Sequence, residues 1–235
     1  MGDKGHESKN KEVFAEDLTD QPGMGGIGTP RHKALSEDVE QDQRAPVALV
    51  VCGILHDEVT AVLRQEGLTS PVFYLAPAPC INYANMERQL TLLLSRAAKV
   101  ARRTVVLIGL CHPNLEEILA RYNAERVPIN DCFDALLGKE RRRLEREANT
   151  FFTTPTWLRH WRRALQQGMG WNADDARQNF GRNQRILLLD AGVTPVTDEE
   201  ILAFFDYTEV PVEPLEIDLS NLARLLRSHL DIDHQ

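Results

Sequence analysis

Apolar residues fall into two alternating patterns along the chain. Continuous runs of strand length occur at Pro46-Val47-Ala48-Leu49-Val50-Val51, Val72-Phe73-Tyr74-Leu75, Thr104-Val105-Val106-Leu107-Ile108 and Arg185-Ile186-Leu187-Leu188-Leu189. Such runs, rich in branched side chains, mark strands buried on both faces. Shorter strand candidates lie at Arg126-Val127-Pro128-Ile129 and near Val210, Pro214 and Ile217.

The intervals carry helical periodicity. A helix is expected from about Asp57 to Gln65, and Met86, Leu90, Leu93, Leu94 and Ala97 share one face of a longer one. Asn114 with Glu117, and Thr197 with Glu200, have the spacing of capping boxes. One helix should end near Gly138, followed by a charged helical run from Lys139 to Ala148. Thr154 then caps a helix with Pro155 in its first position and Trp157, Leu158, Trp161 and Leu165 on its apolar side. A last helix runs through Leu219, Leu222, Leu225 and Leu226.

Strands alternating with helices in this way predict an α/β fold: a doubly wound, mostly parallel, Rossmann-like sheet with helices on both faces. The stretch 139–182 reads as a helical insertion between the fourth and fifth strands. Residues 45–235 form the expected single domain. Residues 1–44 are charged and poor in periodic apolar positions, so a disordered polar tail is expected there. Within that tail Gly23-Met24-Gly25-Gly26-Ile27-Gly28 matches the dinucleotide-binding spacing, but no strand precedes it and no helix follows, so the match lacks its physical context.

Charge narrows the function. A formal net charge of -8 argues against general attraction to nucleic acid or anionic membrane. No apolar run reaches bilayer-spanning length and the N-terminus lacks the apolar stretch of a secretory signal, so a cytoplasmic location is expected. Four cysteines are too few for a disulfide-built fold of this length, and a reducing compartment would keep them as thiols.

Those four cysteines carry the strongest chemical pattern. Cys52, Cys80, Cys111 and Cys132 follow the first, second, third and fourth strands, so each sits near the loop leaving a strand's carboxyl end. In a parallel sheet these loops share one edge, where open α/β folds bind their ligands. His56 lies one turn beyond Cys52, His112 is adjacent to Cys111, Asp131 precedes Cys132, and Asp190 ends the fifth strand. The histidines are candidate metal ligands beside the cysteines, and the two aspartates are candidate cofactor contacts.

Geometry restricts how these groups combine. Strands lie about 4.8 Å apart, so four span roughly 14 Å, whereas thiolates at about 2.3 Å from one zinc ion stand near 4 Å from one another. A closed four-cysteine site therefore needs long inward-reaching loops. Two or three cysteines with His56 or His112, leaving one position open, is the simpler expectation. There is no C-x-x-C pair.

Each feature has a plain structural alternative. A cysteine near a strand end is commonly a small buried hydrophobe. Arg141, Arg142, Arg143, Arg159, Arg162 and Arg163 give the middle helices a basic character that suits an anion. A solvated face with Glu140, Glu145 and Glu147 as partners three or four residues away is the commoner explanation. Trp157 and Trp161, a turn apart, fit a core better than a cofactor platform.

Several short marks resemble one family. These are Cys52-Gly53, Gly109-Leu110-Cys111, Asp131-Cys132 followed by Leu136-Leu137-Gly138, and Thr153-Thr154-Pro155 leading to Trp157. From Val50 to about Leu226 the chain resembles the domain of unknown function 1638 family. The resemblance implies that Cys52, Cys111, Asp131 and Cys132 occupy the family's characteristic polar positions, and it brings no established activity. Members often occur in methanogens and other anaerobes, a setting that favours a metallocofactor role. The chain departs from the family at Leu75-Ala76, where Leu-His is usual, and at Thr156-Trp157, where Gly-Trp is usual. If the missing histidine is a ligand in relatives, either Cys80 substitutes for it here or the function is lost.

Three readings follow. In the first, Cys52, Cys111 and Cys132, with Cys80 or a histidine, bind zinc, iron or a corrinoid-type cofactor, because thiolates select soft metals. The second is a thiol-dependent enzyme with one nucleophilic cysteine. The third is a non-catalytic interaction domain with a protein partner. A small molecule or metallocofactor is the expected ligand, without nucleic acid or membrane.

Overall fold

The structure is a computed structural model that describes residues 12–14 and 44–230. Two parallel sheets organise it. The first has five strands in the order β1-β3-β2-β4-β5: β1 (Glu12–Phe14), β2 (Ala45–Val51), β3 (Val72–Tyr74), β4 (Ala101–Leu107) and β5 (Ala124–Arg126). All four pairings are parallel. Helices α1 (His56–Gln65), α2 (Tyr83–Val100) and α3 (Leu115–Ala120) connect β2 to β5. Val47 to Val51 are buried on both faces of the sheet, as their unbroken apolar run requires.

The second sheet has three parallel strands in sequence order, β6 (Thr150–Thr153), β7 (Arg185–Asp190) and β8 (Val212–Glu216). Between the sheets in the chain lie α4 (Cys132–Leu137) and α5 (Glu140–Glu147). Between β6 and β7 come α6 (Pro155–Trp161), a π-helical turn at Arg162–Gly168, and α7 (Ala173–Phe180). Helix α8 (Asp198–Thr208) joins β7 to β8, and α9 (Ser220–Leu230) ends the described chain.

The parallel α/β class is as expected, but the strands divide between two sheets. The stretch expected to be a helical insertion contains β6, which forms one edge of the second sheet by pairing with β7 from Thr150–Arg185 to Thr153–Leu188. Thr-Phe-Phe-Thr is too short and too polar at its ends to announce a strand, and pairing along β7 supplies what local pattern lacks. Glu12–Phe14 likewise forms an edge strand inside the stretch expected to be disordered, because three residues suffice to satisfy the open backbone of β3. Residues 1–11 and 15–43, with the glycine-rich match, lie outside the described residues, as do residues 231–235.

Caps divide similarly. Thr154 accepts from the Trp157 backbone and Thr197 forms its reciprocal box with Glu200, as their spacing predicts. Asn114 makes no such bond through its side chain. Its backbone N–H donates instead to Nδ1 of His112 at 3.1 Å, so the expected box with Glu117 is not formed. Helix α4 ends at Gly138, whose positive φ of 53° suits a residue without a side chain.

One buried apolar cluster runs through both sheets. In its second half Phe151, Trp157, Phe180, Phe204 and Trp161 meet edge to face or tilted, so the two tryptophans are core, as their spacing suggested. Polar contacts then lock the halves. The fully buried Thr154 hydroxyl donates to the Ile54 carbonyl at 3.1 Å, and Asn221 of α9 donates to the Asp134 and Ala135 carbonyls of α4. Among the described residues no helix is long and apolar enough to cross a membrane.

Candidate functional site

The order β3-β2-β4-β5 reverses direction between β2 and β4, which opens a crevice at their carboxyl ends. Cys52 lies immediately beyond β2, before a tight 3-10 turn at Gly53–Leu55. Cys111 lies in the loop beyond β4, so these two thiols flank the reversal. Cys80 follows β3 on a turn at Pro79–Ile81, and Cys132 is the first residue of α4 after β5.

Asp131 sets the position of Cys132. Its carboxylate accepts from the backbone N–H groups of Phe133 and Asp134, at 2.9 and 3.1 Å, which starts α4 at the cysteine. The Arg141 guanidinium from α5 clamps both Asp131 and Asp134 and donates to Glu145 at 2.8 Å.

Two glycines bring the four loops together. A Cβ on Gly53 would stand 2.2 Å from the Leu75 carbonyl oxygen and 2.9 Å from the Pro77 nitrogen, on the segment leading to Cys80. A Cβ on Gly109 would stand 2.3 Å from the Asp131 Cα and 2.6 Å from the Asn130 carbonyl oxygen, on the segment leading to Cys132. The Leu110 N–H also donates to Asn130 at 2.8 Å. Neither approach leaves room for a side chain. The inward-reaching loops that a four-thiol site demands are thus built from backbone packed on backbone.

The thiols meet in two pairs that each skip a strand. Cys111 faces Cys80 and Cys132 faces Cys52, each pair close enough for one thiol to perturb the other. The pairs also lie within electrostatic reach of each other, Cys111 of Cys52 and Cys132 of Cys111. All four are free thiols. The facing Cys111 side chain holds Cys80, the exposed member, down to about 7. Cys111 is driven well above the ordinary thiol range, first by that partner and then by burial. Cys132 is driven up in the same way by Cys52 and burial.

The other candidates have separate engagements. His112 is buried, takes the Asn114 N–H on Nδ1 and packs edge to face on Tyr83 with centroids 5.5 Å apart. His56 pairs with Asp57 at 2.7 Å and lies edge-on to Tyr74. Asp190 accepts from the Gly192 N–H at 2.8 Å, at the end of β7 in the second sheet. Asp131 is the one candidate carboxylate whose charge reaches a thiol, that of Cys111. Among the described residues no three His, Cys, Asp or Glu side chains stand close enough to surround a single ion. Pairing, rather than a closed tetrad, is therefore the geometry present.

A neighbouring polar cluster is not signalled by any strand-end argument. Asp57 accepts from Thr194 at 2.5 Å and Thr156 at 3.2 Å, tying α1 to the second half of the molecule. Burial opposes its charge, but these hydroxyls and His56 hold it below the usual carboxylate range. Next to it Glu58 is 1% exposed, with Oε2 lacking any partner among the described residues, and burial raises it to about 7. Their only sequence signal is an acidic first turn directly behind Cys52 and His56.

A family model described as a protein of unknown function, DUF1638, matches residues 81–226. That stretch contains Cys111, Asp131, Cys132, Arg141 and Thr154, while Cys52 and Cys80 precede it. No curated protein and no solved structure matches the chain.

Proposed function

The chain belongs to the DUF1638 family, whose function is unknown, and we propose from its own geometry that it binds a soft metal or metallocofactor through Cys52, Cys80, Cys111 and Cys132. The convergence of four thiols from four strand ends into two contacting pairs carries this reading. The donor set fits: thiolates select zinc, iron and iron–sulfur centres, and the buried surroundings of Cys52 and Cys132 keep water from competing. Two pairs of thiols suit a centre in which each pair takes one metal atom, as a two-iron cluster held by four cysteines requires. A metal cation also reverses the local electrostatics, since the charges that hold Cys111 and Cys132 protonated become the charges that bind it.

A second reading rests on Cys80 alone. It is exposed, its thiolate is favoured near pH 7, and Cys111 stands against it as a resolving thiol. One experiment separates the two: alkylation mapped by mass spectrometry on protein purified without oxygen, before and after chelation. Metal binding predicts four cysteines that resist the reagent together and react together once the chelator is added. Selective, chelator-independent reaction at Cys80 contradicts it and supports the thiol enzyme.

A further inference from the structure

A second concavity lies outside the thiol crevice. It encloses about 1230 Å³ between α4, α5, α9 and the Pro128–Asn130 loop. Lys139, which precedes α5, Arg142 and Arg146 from α5 and Arg224 from α9 line it together with three carboxylates, Asp134, Glu140 and Glu145.

Those carboxylates are already spent. Asp134 and Glu145 are held by Arg141, and Glu140 by Arg143, which lies outside the groove. Lys139, Arg142, Arg146 and Arg224 consequently have no carboxylate partner among the described residues, although the protein as a whole is acidic. Among the described residues Arg224 reaches the amide oxygen of Asn221, at 2.8 Å, and no carboxylate. Arg142 and Arg146 are moreover a like-charged pair one helical turn apart, an arrangement that destabilises an isolated helix. Arg143, by contrast, has Glu140 and Glu147 on either side. A solvated face of paired charges therefore accounts for one side of α5 and not for the other.

From this imbalance we infer that the groove binds a small polyanion, a metabolite carrying phosphates or several carboxylates. The site needs nothing from the thiol reading and stands or falls without it. Guanidinium groups suit both anions, because their forked N–H groups match paired oxygens. Helix α5 contributes the cations from one side and α9 contributes Arg224 from the other, so a compact ligand can be gripped between two elements.

The test is calorimetric titration of the full chain with tripolyphosphate and, separately, with citrate, at low and raised salt. Saturable, salt-sensitive binding is expected, weakened about tenfold or more by R142A together with R146A, which removes charge-assisted hydrogen bonds. Arg143→Ala should bind as the parent does. A preference for tripolyphosphate assigns the site to phosphates, and a preference for citrate assigns it to polycarboxylates. No heat with either probe, an equal loss in Arg143→Ala, or tighter binding of an RNA oligonucleotide than of both probes overturns the inference. Because all three arginines are exposed, circular dichroism of the variants should match the parent, so a loss of binding reads as loss of contacts.

Discussion

Glu58→Gln isolates the cost of a buried carboxyl. Glu58 is raised from 4.5 to about 7 chiefly by burial, with the neighbouring Asp57 charge adding to it and His56 opposing. A carboxyl raised on folding binds more protons in the native than in the unfolded state. Its contribution is therefore complete below pH 4.5 and is lost as pH rises through about 7. The full span corresponds to about 3 kcal/mol, of which about 2.5 kcal/mol falls between pH 5 and pH 8. Gln removes the ionisation and retains the shape. Urea unfolding of parent and variant at intervals across that range is the assay, with the difference between the two free energies as readout. The variant should gain on the parent by about 2.5 kcal/mol from the acid to the alkaline end. A pH-independent difference would refute the reasoning, since it would mean that Glu58 titrates alike in folded and unfolded chains.

Other substitutions probe the scaffold of the thiol crevice. Gly109→Ala must push the Asn130–Asp131 backbone away and should cost about 2 kcal/mol by thermal or urea unfolding. It should also abolish the slow, grouped alkylation of the four cysteines. Thr154→Ala loses both the cap of α6 and the bond to Ile54, so a cost of about 1 to 2 kcal/mol is expected, with Thr154→Ser recovering most of it. In metal-free protein the alkylation rate of Cys80 should rise through pH 7. Cys111→Ala should move that rise towards the ordinary cysteine value of about 8.5, and an unmoved profile would count against the pairing.

Much of the first sheet was legible because Val47–Val51 and Val105–Ile108 are buried on both faces and so write unbroken apolar runs. The same logic located the thiols at strand ends, since four loops of a parallel sheet share an edge. What remained hidden depends on approach between distant segments. The strand at Thr150–Thr153 exists through its pairing with β7, and a four-residue segment bounded by threonines has too little pattern to show it. The meeting of Cys80 with Cys111 and of Cys52 with Cys132 depends on Gly53 and Gly109 packing against carbonyls more than twenty residues away. The histidines next to the cysteines in sequence drew attention as ligands, yet His112 serves the loop backbone and His56 serves Asp57. Adjacency along the chain says little about adjacency of side chains across a loop.

The most direct test is metal content, with absorption spectra, of protein purified without oxygen, measured for the parent, for C52A with C132A, and for C80A with C111A. The account predicts zinc or iron bound to the parent in simple proportion to chain and lost when either pair is removed. A parent free of metal under these conditions, or metal retained by both double variants, would contradict it.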